Sequence, residues 1–496
     1  MLNPSSRPLG AIHRCTRHVS CVLFAGLLAL SSISAQSPAT VHPRMQEAIR
    51  LFDTWLEADV AYERVPGLAI GIVSDQQLVW AKGYGFADGA RQIPVTPSTP
   101  FSICSISKLF TATAVLQLRD NGQVALDDPV SRHVPAFNSG RTYPSPDEVT
   151  VRRLLTHASG LPRDFPYASW TGPEYPFPTQ AQVMQYLAAP SQISAPGSRN
   201  EYSNVGMTLA GQLVQTVSGL SFDEYLRTRI FAPLGMTRSF SDQHAAARAA
   251  GLAAGFSVLQ RDGSRVPIPS YEVRGLAAVA GIVSTVEDMA RFARWQVQSA
   301  LGAESTLLGA KTVQEMHSVQ FMPVDSWTTS GYGFQMWREN DRTFVGHAGT
   351  CPGAQSQLLT RPQDRIAVIV LSNALGVETG RYAQRAYDVF APAIRAAPGE
   401  QASPSVSAPS FEGLYQRPLG SESAVMMWQG RLAVRSLPAI SPLGGLELFE
   451  PVSDSVFRRG TGPAAETIEF RTDPQGRLLL VRGHQHMVRR APLRRE

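Results

Sequence analysis

The alternation of apolar and polar positions divides the chain into a small set of regular elements. Met45, Ile49, Leu51, Phe52, Trp55 and Leu56 recur at helical spacing and predict an amphipathic helix over 43–62. Two apolar runs, 68–73 and 78–81, flank the polar Ser74-Asp75-Gln76-Gln77, the pattern of a β-hairpin. Helical periodicity then predicts helices over 105–120, 180–187, 205–218, 222–229 and 285–299. Strand patterns return at 333–338, 355–360 and 366–372, followed by a helix over 378–395. Strands at both ends with helices between them imply one mixed α/β (α+β) domain, its sheet closed by distant segments and a helical lobe inserted.

Residues 396–409 are rich in Pro, Ala and Ser and read as a linker. Beyond it, short alternating runs at 424–428, 432–436, 446–450, 455–457, 467–470 and 478–481 are broken by turns such as Gln429-Gly430 and Pro474-Gln475-Gly476. That pattern predicts an antiparallel sandwich or small barrel over 410–496.

Composition narrows the classes. With 496 residues, 43% hydrophobic and 17% charged, the chain is neither disordered nor fibrous. The net charge of +5 lies in no dense basic block, so nucleic acid is not an expected partner. Arg7, Arg14 and Arg17 precede an apolar run over 22–30 and the small polar Ser31-Ser32-Ile33-Ser34-Ala35. This predicts a secretory signal over 1–35, cleaved after Ala35, because the run is too short for a stable membrane span. The mature protein is therefore expected in the periplasm or outside the cell. Cys15 and Cys21 leave with the signal; Cys104 and Cys351 remain in an oxidising compartment, where a pair can bridge.

Only three lysines, Lys82, Lys108 and Lys311, stand against 42 arginines. Unlike a guanidinium, an amine can lose its proton near neutral pH and act as a base. For Lys82 and Lys311 chance is explanation enough, but Lys108 closes Ser105-Ile106-Ser107-Lys108 at the start of a predicted helix. Ser105 and Lys108 then share a helix face, where a desolvated amine can activate a hydroxyl and helix N–H groups can meet an oxyanion. A second group, Tyr202-Ser203-Asn204, puts a phenol and an amide at a loop-to-helix junction, able to relay a proton and orient a substrate. A third, Gly346-His347-Ala348-Gly349-Thr350-Cys351, offers small residues for close approach and a histidine able to titrate near neutral pH. His484-Gln485-His486 would place two imidazoles on one strand face, but without a third ligand nearby no metal site is assigned.

Ser-x-x-Lys, Tyr-x-Asn and His-x-Gly in this order resemble the β-lactamase/D,D-peptidase superfamily of serine hydrolases. Leu154-Leu155-Thr156-His157-Ala158-Ser159-Gly160-Leu161-Pro162 and Gly281-Ile282-Val283-Ser284-Thr285 are similar to two further loops of that family. The resemblance covers roughly 45–395. It implies a β-lactamase/transpeptidase-like domain over 36–395, an antiparallel sheet flanked by helices, and an acyl-enzyme on Ser105. Lys108 and Tyr202 would share base and acid duties, and which accepts the first proton stays open. Asn204, His347 and Gly349 would bind substrate, and the N–H groups of Ser105 and Thr350 would form the oxyanion hole. His157 would be structural, and no metal or organic cofactor is implied.

The same carry-over gives the cysteines a reason to meet. If Ser105 and Thr350 cradle one oxygen, their neighbours Cys104 and Cys351 come close to the roughly 4.4–6.8 Å Cα separation of a disulfide. Some class A carbapenem-hydrolysing enzymes place a bridge similarly. His-Ala-Gly in place of Lys-Thr-Gly, and the absence of a class A Ser-Asp-Asn, turn the resemblance toward D,D-carboxypeptidases, D-aminopeptidases and related esterases, with a C-terminal lipocalin-like barrel. The expected activity is cleavage of a small ester or short peptide. The rivals are a class C-like β-lactamase and a sensor that is acylated once without turnover.

Overall fold

Helix α1 (Pro43–Tyr62) buries Leu51, Phe52, Trp55 and Leu56 along one stripe, as the spacing predicts. The computed structural model describes residues 42–138, 149–241, 247–248, 250–322, 328–396, 410–417 and 420–491. The expected signal segment and, apart from Ala396, the expected linker lie outside the described residues.

Strands β1 (Gly67–Ser74), β2 (Gln77–Asp88) and β3 (Ile93–Pro94) open the chain's main sheet. A short pair follows, β4 (Phe101–Ser102) with β5 (Val283–Ser284), which brackets helices α2 (Ser107–Asp120) and α3 (Asn204–Ser218). Helix α4 (Val286–Ala300) leads on to β6 (Thr328–Ser330), β7 (Gln335–Glu339), β8 (Arg342–Cys351), β9 (Ala354–Arg361) and β10 (Ile366–Ser372), then helix α5 (Thr379–Arg395). The sheet runs β3-β2-β1-β10-β9-β8-β7-β6 with antiparallel neighbours. Pairing of Leu68 with Ser372 through Ser74 with Ile366 joins the first strand to the last and closes the domain.

β1 and β10 are apolar up to a terminal serine because both sheet faces are covered. Leu68, Ile70, Ile72, Ile366, Val368 and Val370 pack with α1 and α5; Ala69, Val73, Ala367, Ile369 and Leu371 join the core containing α2, α3 and α4. On the α1 side, Phe390 of α5 lies edge-on to Phe52 at 5.6 Å and stacks on Trp80 at 5.4 Å.

The C-terminal strands β11 (Gly413–Gln416), β12 (Glu422–Trp428), β13 (Arg431–Leu437), β14 (Glu447–Pro451), β15 (Val456–Arg459), β16 (Glu466–Thr472), β17 (Leu478–Arg482) and β18 (Gln485–Ala491) form a closed eight-stranded barrel. Alternation along β12 divides its side chains. Val425 and Met427 enter a barrel interior filled with Phe449, Phe457, Phe470 and Leu480, while Ala424, Met426 and Trp428 face outward into the α1–α5 core. The barrel is thereby packed on the far side of the sheet from α2. Trp55 Nε1–H donates to the Ala439 carbonyl at 2.6 Å, and Gln429 N–H donates to the Glu47 carboxylate at 2.8 Å. His484 and His486 do not share a strand face: His484 sits in the turn before β18, His486 on β18, and both are exposed. Among the described residues no helix is long and apolar enough to cross a membrane.

Candidate active site

The segment 105–120 begins with a 3-10 turn, Cys104–Ile106, and only then becomes α2. Its entry is held from two sides. Ile103 N–H donates to the Ile282 carbonyl at 3.0 Å, and Ser356 Oγ donates to the Ile103 carbonyl at 2.8 Å. Cys104 takes a left-handed φ of 52°, which a side-chain-bearing residue adopts at a cost, and so turns the chain sharply just before Ser105. From 101 to 118 every residue is buried except Ser105, which is half-buried. The two serines of the motif are thus distinguished: Ser107 is fully buried, its Oγ accepting the Ile282 N–H at 3.1 Å, while Ser105 is accessible.

Lys108 lies one turn on and is fully buried. Its Nζ is 3.1 Å from Ser105 Oγ and 3.2 Å from the Val279 carbonyl, and it makes no ion pair among the described residues. Burial lowers its pKa below the ordinary 10.5. Tyr202 and, weakly, Asp164 oppose that shift, while Arg163 adds to it. The shift runs toward the uncharged amine that a base requires.

Tyr202 brings its ring to 4.9 Å from Lys108 Nζ. The loop after the short helix Val151–Leu155 fixes it there. Glu201 N–H donates to the His157 carbonyl at 2.6 Å, Ser203 N–H donates to His157 Nδ1 at 3.1 Å, and the imidazole lies 4.5 Å from the Tyr202 ring. His157 is buried, and burial holds its pKa well below 6.5. Gly160 in the same loop has φ +74°, and a Cβ there would stand 2.2 Å from the Ser194 carbonyl. Ser203 Oγ caps α3 by accepting the Gly206 N–H at 2.8 Å, and Asn204 begins that helix.

The third motif is itself a strand, the end of β8. Gly349 serves the nucleophile turn directly: a Cβ would lie 2.4 Å from the Ile103 carbonyl and 3.1 Å from Cys104 Cβ. This approach brings Cys104 and Cys351 into a disulfide with Cα atoms 5.5 Å apart, the pairing implied above. Thr350, between Gly349 and Cys351, is exposed beside Ser105's turn. His347 is buried, its ring 6.1 Å from that of Tyr202. Its titration differs from the expectation: burial pushes its pKa down to about 3, so it is neutral at physiological pH.

Sequence reasoning missed Asp164 and Trp170. Asn204 Nδ2 donates to Asp164 Oδ1 at 2.6 Å, and Trp170 Nε1–H donates to the same oxygen at 2.8 Å. Trp170 also packs against the Cys104–Cys351 bridge. An isolated Asp and Trp in a loop carry no periodicity; their position just after Ser159-Gly160-Leu161-Pro162 was the one available signal. Asn204 Oδ1, His157 Nε2 and His347 Nε2 are buried without a partner among the described residues. The described residues contain no cluster of three His, Cys, Asp or Glu able to hold a metal.

The Beta-lactamase family model matches residues 52–391. The chain is 28% identical over 322 residues to Protein flp of Staphylococcus aureus (strain COL), covering 65% of this chain and 62% of that relative. It is 27% identical over 328 residues to Beta-lactamase-like protein 2 of Dictyostelium discoideum, covering 64% and 58%. The match thus spans less than two thirds of these relatives' own length. An octameric penicillin-binding protein homologue from Pyrococcus abyssi shares the fold with a TM-score of 0.60 at 24% identity, over 88% of this chain and 99% of that one. With the family match reaching from α1 to α5 and Ser105, Lys108 and Tyr202 gathered at one place, the chain belongs to the Beta-lactamase family.

Proposed function

We propose that this protein is an exported serine hydrolase that cleaves small esters or short peptides, D-residue peptides included, through an acyl-enzyme on Ser105. The observation that carries the reading is the 3.1 Å contact between an accessible Ser105 hydroxyl and a fully buried Lys108 amine that has no ion-pair partner among the described residues. Ser105 Oγ attacks the carbonyl while its proton passes to the Lys108–Tyr202 pair. The oxyanion is met by the Ser105 and Thr350 N–H groups; the leaving group departs with the proton. Water then repeats the sequence on the acyl-enzyme and releases the acid.

A neutral His347 favours this over β-lactam hydrolysis, because it offers a substrate carboxylate no positive charge. Ser105→Ala is expected to abolish labelling by a fluorophosphonate or a penicillin and to cut turnover of p-nitrophenyl esters by at least about a thousandfold. Labelling that survives the substitution refutes Ser105 as nucleophile. A single stoichiometric burst would make the protein a sensor, and fast cephalosporin turnover a β-lactamase. Export is tested by the N-terminus of the secreted protein, expected at Gln36.

A further inference from the structure

On the α5 side of the main sheet, behind the end of β8, lies a cavity of about 250 Å³ that the acyl-transfer reading does not use. Alternation along β8 turns Ala348 away from the side on which Gly349 meets the nucleophile turn, and its exposed methyl forms part of the cavity floor. Gln357 pairs with Ala348 across the sheet. Gln335, Trp337 and Glu339 of β7 make one wall, and Gly380 in the first turn of α5 faces them.

Gln357 is only 7% exposed, and its amide has a fixed direction. Nε2 donates to the Leu358 carbonyl at 3.1 Å, and a carbonyl can only accept, so Oε1 is the free end. A Cβ built on Gly380 would stand 3.5 Å from that oxygen and, its own helix aside, within 4 Å of nothing else. Oε1 accepts no hydrogen bond among the described residues, yet unlike the enclosed Oε1 of Gln384 it keeps accessible surface. A buried side chain holding an open acceptor beside empty space calls for a donor from outside. The side chains of Gln335, Trp337 and Glu339 likewise make no hydrogen bond or ion pair among the described residues.

We propose that this cavity binds a neutral, hydroxyl-bearing ring, a pyranose sugar. A hydroxyl donates and accepts at once, so a ring of them can meet a bare amide oxygen, a second amide, a carboxyl and an indole N–H together. The volume lies below the roughly 300–1,000 Å³ of drug-sized sites, which suits a single ring. An anion would face two acceptors, Gln357 Oε1 and Glu339. A cation would meet the positive end of α5 and the charges of Arg385 and Arg342, both of which act on Glu339. The site stands apart from Ser105 and does not depend on the acyl-enzyme.

Saturation-transfer NMR on the secreted chain tests the assignment, with glucose, mannose and N-acetylglucosamine as sugar probes and ethanolamine and acetate as charged ones. At least one sugar is expected to bind with a Kd of about 1–10 mM, as suits a small ligand with few contacts, and neither charged probe is expected to bind. Gly380→Leu puts a side chain into the open space opposite Oε1 and is expected to weaken that sugar at least about tenfold. The substitution suits an exposed helix position with room for a Cβ, and a urea midpoint no lower than that of the wild type confirms that the variant is folded. Gln357→Leu removes the acceptor and is expected to weaken the sugar about fivefold or more. Saturation transfer to none of the three sugars overturns the assignment. So does sugar binding that survives Gly380→Leu unchanged, which would put the ligand elsewhere, or binding of a charged probe in place of the sugars.

Discussion

Lys82 on β2 and Lys108 on α2 lie on opposite sides of the main sheet, and each is largely or wholly withdrawn from water. Lys82 Nζ sits 2.6 Å from Asp53 Oδ2, and the other oxygen of that carboxylate accepts the Tyr84 hydroxyl at 2.6 Å. The same habit holds elsewhere on that side: Asp59 meets Arg381 at 2.8 Å and the Tyr382 hydroxyl at 2.7 Å. Lys108 has a hydroxyl and a carbonyl instead, with no carboxylate in contact among the described residues. Pairing lets a buried ammonium stay charged; withholding the partner drives it toward the neutral amine. One face of the sheet pairs its buried lysine with a carboxylate; on the other the proposed base carries an electrostatic cost.

Replacing each lysine by methionine should separate the two uses, and it carries the largest expected effect. Lys108→Met is expected to lower kcat for a p-nitrophenyl ester about 10²–10⁴-fold, the usual worth of a general base, while raising stability toward denaturant. The sign follows from linkage. The unfolded lysine binds a proton that the folded one resists, so its cost vanishes above pH 10.5 and grows as pH falls to the lowered folded value. The gain from Lys108→Met should therefore be larger at pH 7 than at pH 10. Lys82→Met should do the reverse, costing about 3 kcal/mol by stranding Asp53 and leaving Ser105 labelling in place. Equal kinetic damage from both would erase the distinction.

The disulfide sharpens the contrast at intermediate size. It spans 247 residues and joins the nucleophile turn to the end of β8. Opening it with Cys104→Ser and Cys351→Ser together is expected to cost about 2–4 kcal/mol of stability. It should also slow fluorophosphonate labelling, since Ser105 and Thr350 lose their common anchor. Urea denaturation and labelling rates on the same double variant read the two effects separately. A stability loss with unchanged labelling would confine the bridge to the fold.

Much of this was legible in the sequence, and the exceptions have a physical pattern. Elements with strong apolar periodicity, such as α1 and β10, appear where the pattern placed them. β8 was not read as a strand in its own right, because Gly346, Ala348 and Gly349 interrupt the alternation. Those small residues exist for tertiary reasons: a Cβ at Gly346 would stand 2.0 Å from the Leu358 carbonyl. β2 runs on to Asp88 past Gly83 and Gly85 for the same kind of reason, with the Val95 carbonyl 2.1 Å from a Cβ at Gly83. In the barrel the apolar alternation marks neither β11 nor β18, the pair whose contact closes the cylinder. One is short and the other carries Gln485, His486, Arg489 and Arg490, so neither shows a clean alternation. Ser105, Lys108 and Tyr202 could be named from their motifs, whereas the Asp164 contacts with Asn204 and Trp170 could not, since they exist only once two loops meet.

The smallest expected effect concerns His347, and it bears on which group near Ser105 titrates. By motif it should change charge near neutral pH, yet burial pushes it down to about 3. Above about pH 4 it is then neutral and contributes nothing to the rise of kcat/KM with pH. That rise belongs to Lys108: below its lowered pKa the amine is protonated and cannot take the Ser105 proton, so activity is lost as pH falls through it. His347→Gln is therefore expected to alter the height of the profile for a p-nitrophenyl ester and not the position of its acid limb. If the limb moves, His347 is charging within the working range, its interior is wetter than the fold implies, and the cleft regains a cation for a carboxylate-bearing substrate. In that event the argument that sets β-lactams second would lose its footing, while the separation between Lys82 and Lys108 would stand.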